Sequence, residues 1–473
     1  MKIYICLFTL IFGIPIIYKP AIFGQEKPNF ILIMADDQGW GDVSYNGHPY
    51  LKTPNLNRMV KDGVRFTRSY AGSAVCSPTR ASFLTGRNPE RFGVCNANCG
   101  HLKKEEISIY EMVKPQGYTT GHFGKWHLGT LTKATLDANR GGNPQFELDY
   151  APPWEHGVDV SFVTESKVPT WNPMLTPDTL SMDVDRKKQG SSWGTSYWVG
   201  AGKVETKNLE GDDSRIIMDR VLPFIDNALK EKKPFVSVIW FHTPHLPVLT
   251  GEKYKNIYDG LLEDQRQYYG AITAMDEQIG RLRNHLEQLG IDKNTIITFT
   301  SDNGPEGKAP IKRTQGQTYG LDGRKRSLKE GGIRVPGIML WPGKIEPGSV
   351  ENTPVFTSDY FPTIATILNV DINKYNRPYD GTNILELIQA NGAKPKSDRY
   401  LSFLLEGQAA HIGMRYKIYR PNTDSAWQMF DLLSDPGETK NISTEYPELF
   451  NKLILDWNIW EASVKRSAEG KDY

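Results

Sequence analysis

Asn29-Phe30-Ile31-Leu32-Ile33-Met34-Ala35 runs straight into Asp36-Asp37. A continuous apolar run of this length, rich in β-formers, predicts a strand buried on both faces. The two acids at its end predict that its carboxyl end opens onto something charged. Three further segments repeat the pattern. Tyr118-Thr119-Thr120-Gly121-His122-Phe123-Gly124 ends at Lys125-Trp126-His127. Phe235-Val236-Ser237-Val238-Ile239-Trp240-Phe241 ends at His242-Thr243-Pro244-His245, and Thr295-Ile296-Ile297-Thr298-Phe299-Thr300 ends at Ser301-Asp302-Asn303-Gly304. Helical periodicity lies between these runs, over Leu56 to Gly63, Ile216 to Glu231 and Tyr268 to Gly290. Strands alternating with helices predict an α/β fold, a large and mostly parallel sheet sandwiched by helices. Ligands bind such sheets beyond the carboxyl ends of the strands. All four polar clusters fall there, so one cleft should collect acids, a Lys-x-His and a histidine.

From about residue 380 the texture changes. Met414 to Tyr419 and Trp427 to Leu432 alternate like hairpin strands, Ser434-Asp435-Pro436-Gly437-Glu438 reads as a turn, and Leu449 to Val464 as an amphipathic helix. The expected division is a signal peptide over 1–24, a catalytic unit over 25–379 and a smaller C-terminal α+β unit over 380–473. Residues 141–211, rich in Trp, Pro, Gly and Ser, read as a long irregular insertion.

The signal peptide is inferred from Lys2, the apolar run Ile3 to Ile17 and the polar stretch from Gln25. Nothing after it is long and apolar enough to span a bilayer. Export is therefore expected, to a periplasmic or extracellular space, with no membrane partner once the signal is removed. The 56 Lys+Arg against 55 Asp+Glu leave no global charge bias, and no nucleic-acid partner is expected. Of four cysteines, Cys6 leaves with the signal. Cys95 and Cys99 could form a small-loop disulfide in an exported protein. A zinc pair is disfavoured, because no second Cys/His pair lies near them.

Asp36, Asp37, Asp302 and Asn303 are all oxygen donors. Three carboxylates and an amide suit a hard divalent cation such as Ca²⁺ or Mg²⁺ rather than zinc. Without one, converging carboxylates would raise one another's pKa. The remaining cysteine stands in Cys76-Ser77-Pro78-Thr79-Arg80, a C-x-P-x-R element just before a run that reads as a helix start.

That element resembles the signature of the type I sulfatases, in which the cysteine is oxidised to Cα-formylglycine. The resemblance extends along nearly the whole chain after the signal. Pro28 to Asp42 is similar to the family's N-terminus, and Gly124-Lys125-Trp126-His127-Leu128-Gly129 to its second signature. Ser301-Asp302-Asn303-Gly304 resembles its late metal motif, and Lys325 to Pro336 its lysine loop. Membership implies the alkaline phosphatase fold. It also implies Ca²⁺, with Mg²⁺ as the alternative, held by Asp36, Asp37, Asp302, Asn303 and the formylglycine at Cys76. A formylglycine-generating maturation enzyme is then a required partner. The hydrated aldehyde would attack sulfur and pass through a sulfo-enzyme intermediate. Arg80 would orient the diol, and Lys125 and Lys325 would stabilise the sulfate oxygens. His127 would later take a proton from the diol, and Asp302 could deprotonate the attacking hydroxyl. One histidine of the third loop would protonate the leaving alcohol. His245, in Pro244-His245-Leu246-Pro247, fits the family's form better than His242, which reads as a structural neighbour.

The expected reaction is hydrolysis of a sulfate ester on a carbohydrate, a sulfated polysaccharide or its oligosaccharides. Lys308, Lys312, Arg313, Arg324, Arg326 and Lys329 could form a cationic rim for such a polyanion. The alternatives are a formylglycine-dependent phosphonate monoesterase or phosphodiesterase, and a silent sulfated-glycan-binding protein on the same scaffold.

Overall fold

The computed structural model describes residues 27–177, 189–389 and 399–473. The segment read as a signal peptide, residues 1–24, lies outside them. At the centre are five parallel strands in the order Thr295–Ser301, Asn29–Ala35, Phe235–Trp240, Thr119–Lys125, Val160–Thr164. They belong to a sheet of ten strands among the described residues. Ile338–Leu340 extends it antiparallel to Thr295–Ser301, followed by Val64–Phe66 and Ser349–Glu351. Trp198–Gly200 and Lys203–Val204 close the other edge.

The strand pleat explains why the central runs are apolar throughout. Phe30, Leu32 and Met34 enter one core, shared with Phe83 and Trp126. Ile31, Ile33 and Ala35 enter the other, shared with Ile217 and Ile272. Helices Asp213–Lys230 and Glu263–Gln288 cover the second core. Helices Cys76–Thr85 and Tyr360–Ile367 cover the first. The expected α/β sandwich is therefore the fold observed.

One expectation is corrected. The segment 141–211 is not wholly irregular, because Val160–Thr164 is a central parallel strand. With five residues between Pro- and Gly-rich stretches, it offers too short an apolar pattern to stand out. Residues 178–188 of that segment lie outside the described ones.

The C-terminal part forms a four-stranded antiparallel sheet, Leu401–Leu405, Gln408–Ile412, Tyr416–Arg420 and Gln428–Asp431. Helix Pro447–Ala468 covers one face through Leu453 and Trp457 against Ile418 and Met429. The other face, with Phe403, Ala410 and Phe430, packs on Ala74, Val75 and Leu328. These last three flank Cys76 and Lys325, so the small sheet buttresses both from behind. No helix among the described residues is long and apolar enough to cross a membrane.

Candidate active site

Cys76 is the first residue of helix Cys76–Thr85, all ten residues of which are buried. Ser73 and Thr79 tie the preceding loop to the first turn by two 3.0 Å hydrogen bonds, one each way. Pro78 sits in that first turn, where its missing N–H costs no helical bond. Gly86 ends the helix at φ 72, donating its N–H to Ser82 O. Burial pushes the Cys76 thiol up to about 11, against the pull of Lys125 and Lys325. A thiolate is thus disfavoured at neutral pH, and the unmodified side chain is a poor nucleophile.

The acids come from two adjacent strands. Asp36 and Asp37 leave the end of Asn29–Ala35, and Asp302 leaves Thr295–Ser301. The two turns are knitted together: Asp37 N–H donates to Asp302 Oδ1 at 3.0 Å and Gln38 N–H to Ser301 Oγ at 3.0 Å. Asp37 holds a left-handed φ of 64, which asparagine and aspartate tolerate better than most residues. Asn303 Nδ2 donates to Asp37 Oδ1 at 2.7 Å.

Three cations answer three carboxylates. Arg80 Nη2 lies 2.6 Å from Asp302 Oδ2, Lys125 Nζ 2.7 Å from Asp36 Oδ2, and Lys325 Nζ 2.7 Å from Asp37. All six groups are buried. Lys125 follows Gly124, whose φ is +99 and whose Cβ would lie 2.0 Å from Trp240 O, so only glycine lets this strand deliver the lysine. Burial pushes Asp37 up, but Lys325, then His245 and Lys125, outweigh it and hold the carboxyl well below its usual range. Asp302 goes the other way: burial and the Asp36 charge raise it to about 7, against Arg80 and Lys125.

Four protein ligand atoms, from Asp36, Asp37, Cys76 and His245, lie within 4.8 Å of one another. Asp36 Oδ1 and Asn303 Oδ1 are buried without a hydrogen-bond partner. Two open oxygens beside two further carboxylates are what a hard cation requires, so the residues fit a Ca²⁺ or Mg²⁺ ion.

The two histidines of the third loop differ sharply. His242 is fully buried, with Nδ1 2.8 Å from Asp213 and Nε2 2.7 Å from Thr164 Oγ1, so both ring nitrogens are engaged. His245 donates Nδ1–H to Leu246 O at 2.6 Å and turns Nε2 toward Asp37, 3.5 Å away. Burial pushes His245 well below its ordinary range, with Asp37 opposing and Lys325 and Lys125 reinforcing. His127 is also buried and also pushed down, first by burial and then by Lys125 and Arg80.

Asp36, Asp37, Cys76, Arg80, Lys125, His245, Asp302, Asn303 and Lys325 thus come together here, with His127 and His242 beside them. Sequence reasoning missed three neighbours. Glu306 lies 3.2 Å from Lys325 and 2.7 Å from Arg326. Asn98 holds His127 at 3.1 Å from a loop closed by the Cys95–Cys99 disulfide. Lys167, exposed by surface area, feels the Lys325 and Lys125 charges, which with partial burial push its ammonium below its ordinary range. The two cysteines do flag the disulfide loop, but not its contact with His127; Glu306 shows in the sequence only as one of two acids within the basic stretch, and Lys167 carries no sequence signal.

The basic rim is smaller than expected. Arg324 donates to the carbonyls of Gly307, Gly316 and Glu306, and Arg313 lies 3.1 Å from Asp264. Arg326 pairs with Glu306 and Lys329 with Asp322, whereas Lys308 and Lys312 are exposed.

Similarity to known proteins runs the length of the chain. The family model described as Sulfatase matches residues 28–370, and the model for N-sulphoglucosamine sulphohydrolase, C-terminal, matches residues 321–456. Steryl-sulfatase of Rattus norvegicus is 29% identical, over 85% of this chain and 76% of its own. N-acetylgalactosamine-6-sulfatase of Mus musculus is 29% identical, over 90% and 80%. The crystal structure of Ps i-CgsB in complex with k-i-k-neocarrahexaose covers 94% of this chain and 97% of its own, with TM-score 0.78 and 24% identity. A cleft of buried carboxylates, lysines and one cysteine, on a chain matched from its first strand to its last helix, belongs to an enzyme of the sulfatase family.

Proposed function

We propose that this sulfatase hydrolyses sulfate esters of a sulfated polysaccharide or its oligosaccharides, with Cys76 converted to formylglycine. The observation that carries the reading is the buried Cys76 at the start of its helix, ringed by three carboxylates and three cations, with ligand atoms of Cys76, Asp36, Asp37 and His245 within 4.8 Å of one another. The carbohydrate class is supported by the named substrates of N-acetylgalactosamine-6-sulfatase and the oligosaccharide bound by Ps i-CgsB.

The hydrated aldehyde at Cys76 supplies the nucleophilic hydroxyl that the thiol lacks. A Ca²⁺ ion held by Asp36, Asp37, Asp302, Asn303 and that residue would neutralise the carboxylates and polarise a sulfate oxygen. Lys125 and Lys325 then become free to donate to the sulfate group, where charge builds. Arg80, stacked 5.0 Å over Trp240, is fixed in place and keeps Nε and Nη1 open for the nucleophile. Asp302, whose Oδ2 lies 2.6 Å from Arg80 Nη2, would accept the proton of the attacking hydroxyl. His245 offers Nε2 to the ester oxygen. Because burial disfavours its charged form, it holds that proton only beside the anionic ester and gives it to the leaving alcohol. His127 takes the proton that lets the aldehyde reform.

The functional division remains a catalytic unit over 25–379 backed by a C-terminal unit over 380–473. Export through the segment 1–24 would bring the enzyme to its substrate and to an oxidising space.

The test is expression with a formylglycine-generating enzyme, mass spectrometry of the Cys76 peptide, and sulfate release from a panel of sulfated glycans, a steryl sulfate and a phosphonate monoester. Release from a glycan by the converted enzyme is expected. Conversion with turnover of the phosphonate or steryl ester alone would overturn the substrate class.

A further inference from the structure

We propose that Asn98, held by the Cys95–Cys99 bridge, is a positioning residue that fixes the tautomer and ring plane of His127. The inference rests on the sulfatase reading of the site but concerns a residue outside its known motifs.

The bridge spans four residues with a Cα–Cα distance of 5.7 Å. Inside it, Cys99 N–H donates to Asn96 O at 3.1 Å, and Asn98 takes a left-handed φ of 60. That turn carries the Asn98 amide over His127. Two groups approach its Oδ1: Asn139 Nδ2 at 3.2 Å and His127 Nε2 at 3.1 Å. Asn139 Nδ2 also reaches Ser166 Oγ at 3.2 Å, which orients the Asn139 amide in turn. With the two amides turned as they stand, Asn139 Nδ2 donates to Asn98 Oδ1, and the same carbonyl oxygen faces His127 Nε2 as an acceptor. His127 therefore carries its proton on Nε2.

The consequence falls on the other nitrogen. In a neutral imidazole the hydrogen bond made by one nitrogen decides the state of the other. His127 Nδ1 is then the lone-pair atom, and it is buried without a hydrogen-bond partner among the described residues. The ring is 3% exposed, and its backbone is pinned at φ 58 by a 2.9 Å bond from its N–H to Glu165 O. Burial, then the Lys125 and Arg80 charges, disfavour its charged form. A buried acceptor, and only one, is what removal of a proton from the nucleophile requires. Asn98 itself is exposed at the mouth. Without it, water would meet Nε2 as donor or acceptor, and both tautomers would be populated.

Asn98→Gly deletes the acceptor while keeping a residue at ease with positive φ, and Asn98→Asp keeps an acceptor at the same place. The first readout is ¹⁵N NMR of the histidine-labelled Cys76 protein, with His127 assigned by loss of its signals in His127→Gln. Wild type and Asn98→Asp should show a single Nε2–H tautomer. Asn98→Gly should show a mixture, and so should Cys95→Ser/Cys99→Ser to a lesser degree. The second readout is kinetics of the matured enzyme. Losing the bond should lower kcat about tenfold in Asn98→Gly with KM within about twofold, and Asn98→Asp should recover most of it. A His127 that stays Nε2–H in Asn98→Gly overturns the proposal. So does a loss confined to KM, which would make Asn98 a substrate contact. The NMR arm needs no turnover, so failure of the sulfatase reading alone would leave the tautomer result standing.

Discussion

Lys417→Met strips the ammonium from a closed pocket behind the lysine loop. Lys417 Nζ lies 3.2 Å from Glu330 Oε1 and 2.9 Å from Glu438 Oε1. The three residues are 0%, 0% and 4% exposed. Methionine has similar volume, so little cavity forms and the cost is electrostatic. Glu330 keeps the Tyr70 hydroxyl at 2.9 Å and Arg334 at 3.6 Å. Glu438 keeps only the Glu330 N–H at 2.6 Å. Leaving a buried charge without its partner costs about 3–5 kcal/mol. For 473 residues unfolding as one unit, that lowers the melting temperature by about 3–5 °C. The pH dependence gives a second handle. In the native pocket burial raises Glu330, but Lys417 and Arg334 outweigh it and hold it below its ordinary value. That stability is present above the unfolded pKa, about 4.3, and fades as pH falls below it. Glu438 is already raised in the native pocket, by burial first and against the pull of Lys417; in the variant both buried carboxyls lose that pull, so their penalty appears as pH climbs through about 4.3. Both effects make the deficit large at pH 7 and small below about pH 4. Adding Glu438→Gln should recover part of it, since the pocket then buries one charge fewer. The assay is thermal and urea unfolding followed by circular dichroism at several pH values. A variant within about 0.5 kcal/mol of wild type at pH 7, or a deficit that grows on acidification, would refute the reasoning.

Cys76→Ala should abolish sulfate release, while circular dichroism and melting temperature stay close to those of the unmodified protein; residual turnover would remove the nucleophile from Cys76. Chelation of the matured enzyme should stop turnover, and Ca²⁺ or Mg²⁺ should restore it and raise the melting temperature, by about 2.7 kcal/mol of stability at a hundredfold excess over Kd; zinc in elemental analysis of an active sample would contradict the donor set. His245→Ala should cost on the order of a hundredfold on a sulfated sugar and far less on a nitrophenyl sulfate, whose phenolate leaves unaided. His242→Ala should instead strand Asp213 and destabilise the fold by about 2–4 kcal/mol, lowering both activities through loss of folded protein; a leaving-group-selective loss in His242→Ala would reverse the assignment.

The central sheet was readable because residues buried on both faces write a pattern that survives without context. Phe30 to Met34 and Val236 to Trp240 admit no other placement. Helix ends were read to within a few residues: Ile216 to Glu231 is Asp213–Lys230, and Tyr268 to Gly290 is Glu263–Gln288. Helix Cys76–Thr85 carries no amphipathic signal, since every face is buried, and only its motif betrayed it. The hairpin Leu401–Leu405 and Gln408–Ile412 passed unnoticed, although Glu406 and Gly407 turn it with two positive φ values, 48 and 84. At the site, the groups found were those carried by motifs: at strand ends, at the start of helix Cys76–Thr85 and in the loop that holds Lys325. Glu306 and Asn98 act through a neighbour that only folding supplies.

The strand that carries Asp36 has no local partner. Phe30 pairs with Val236 on one side and with Ile296 on the other. The loop before Cys76 is backed by residues near 403 and 430, at the far end of the chain. Synthesis from Cys76 to the second of those strands takes on the order of ten seconds or more, and throughout it the loop before Cys76 lacks that backing. Once folding is complete, Cys76 is 2% exposed and sealed from both sides. Under the maturation proposed for Cys76, the late arrival of its neighbours would set a window in time, in which a modifying enzyme meets Cys76-Ser77-Pro78-Thr79-Arg80 on an unfinished chain before the closing fold ends its access.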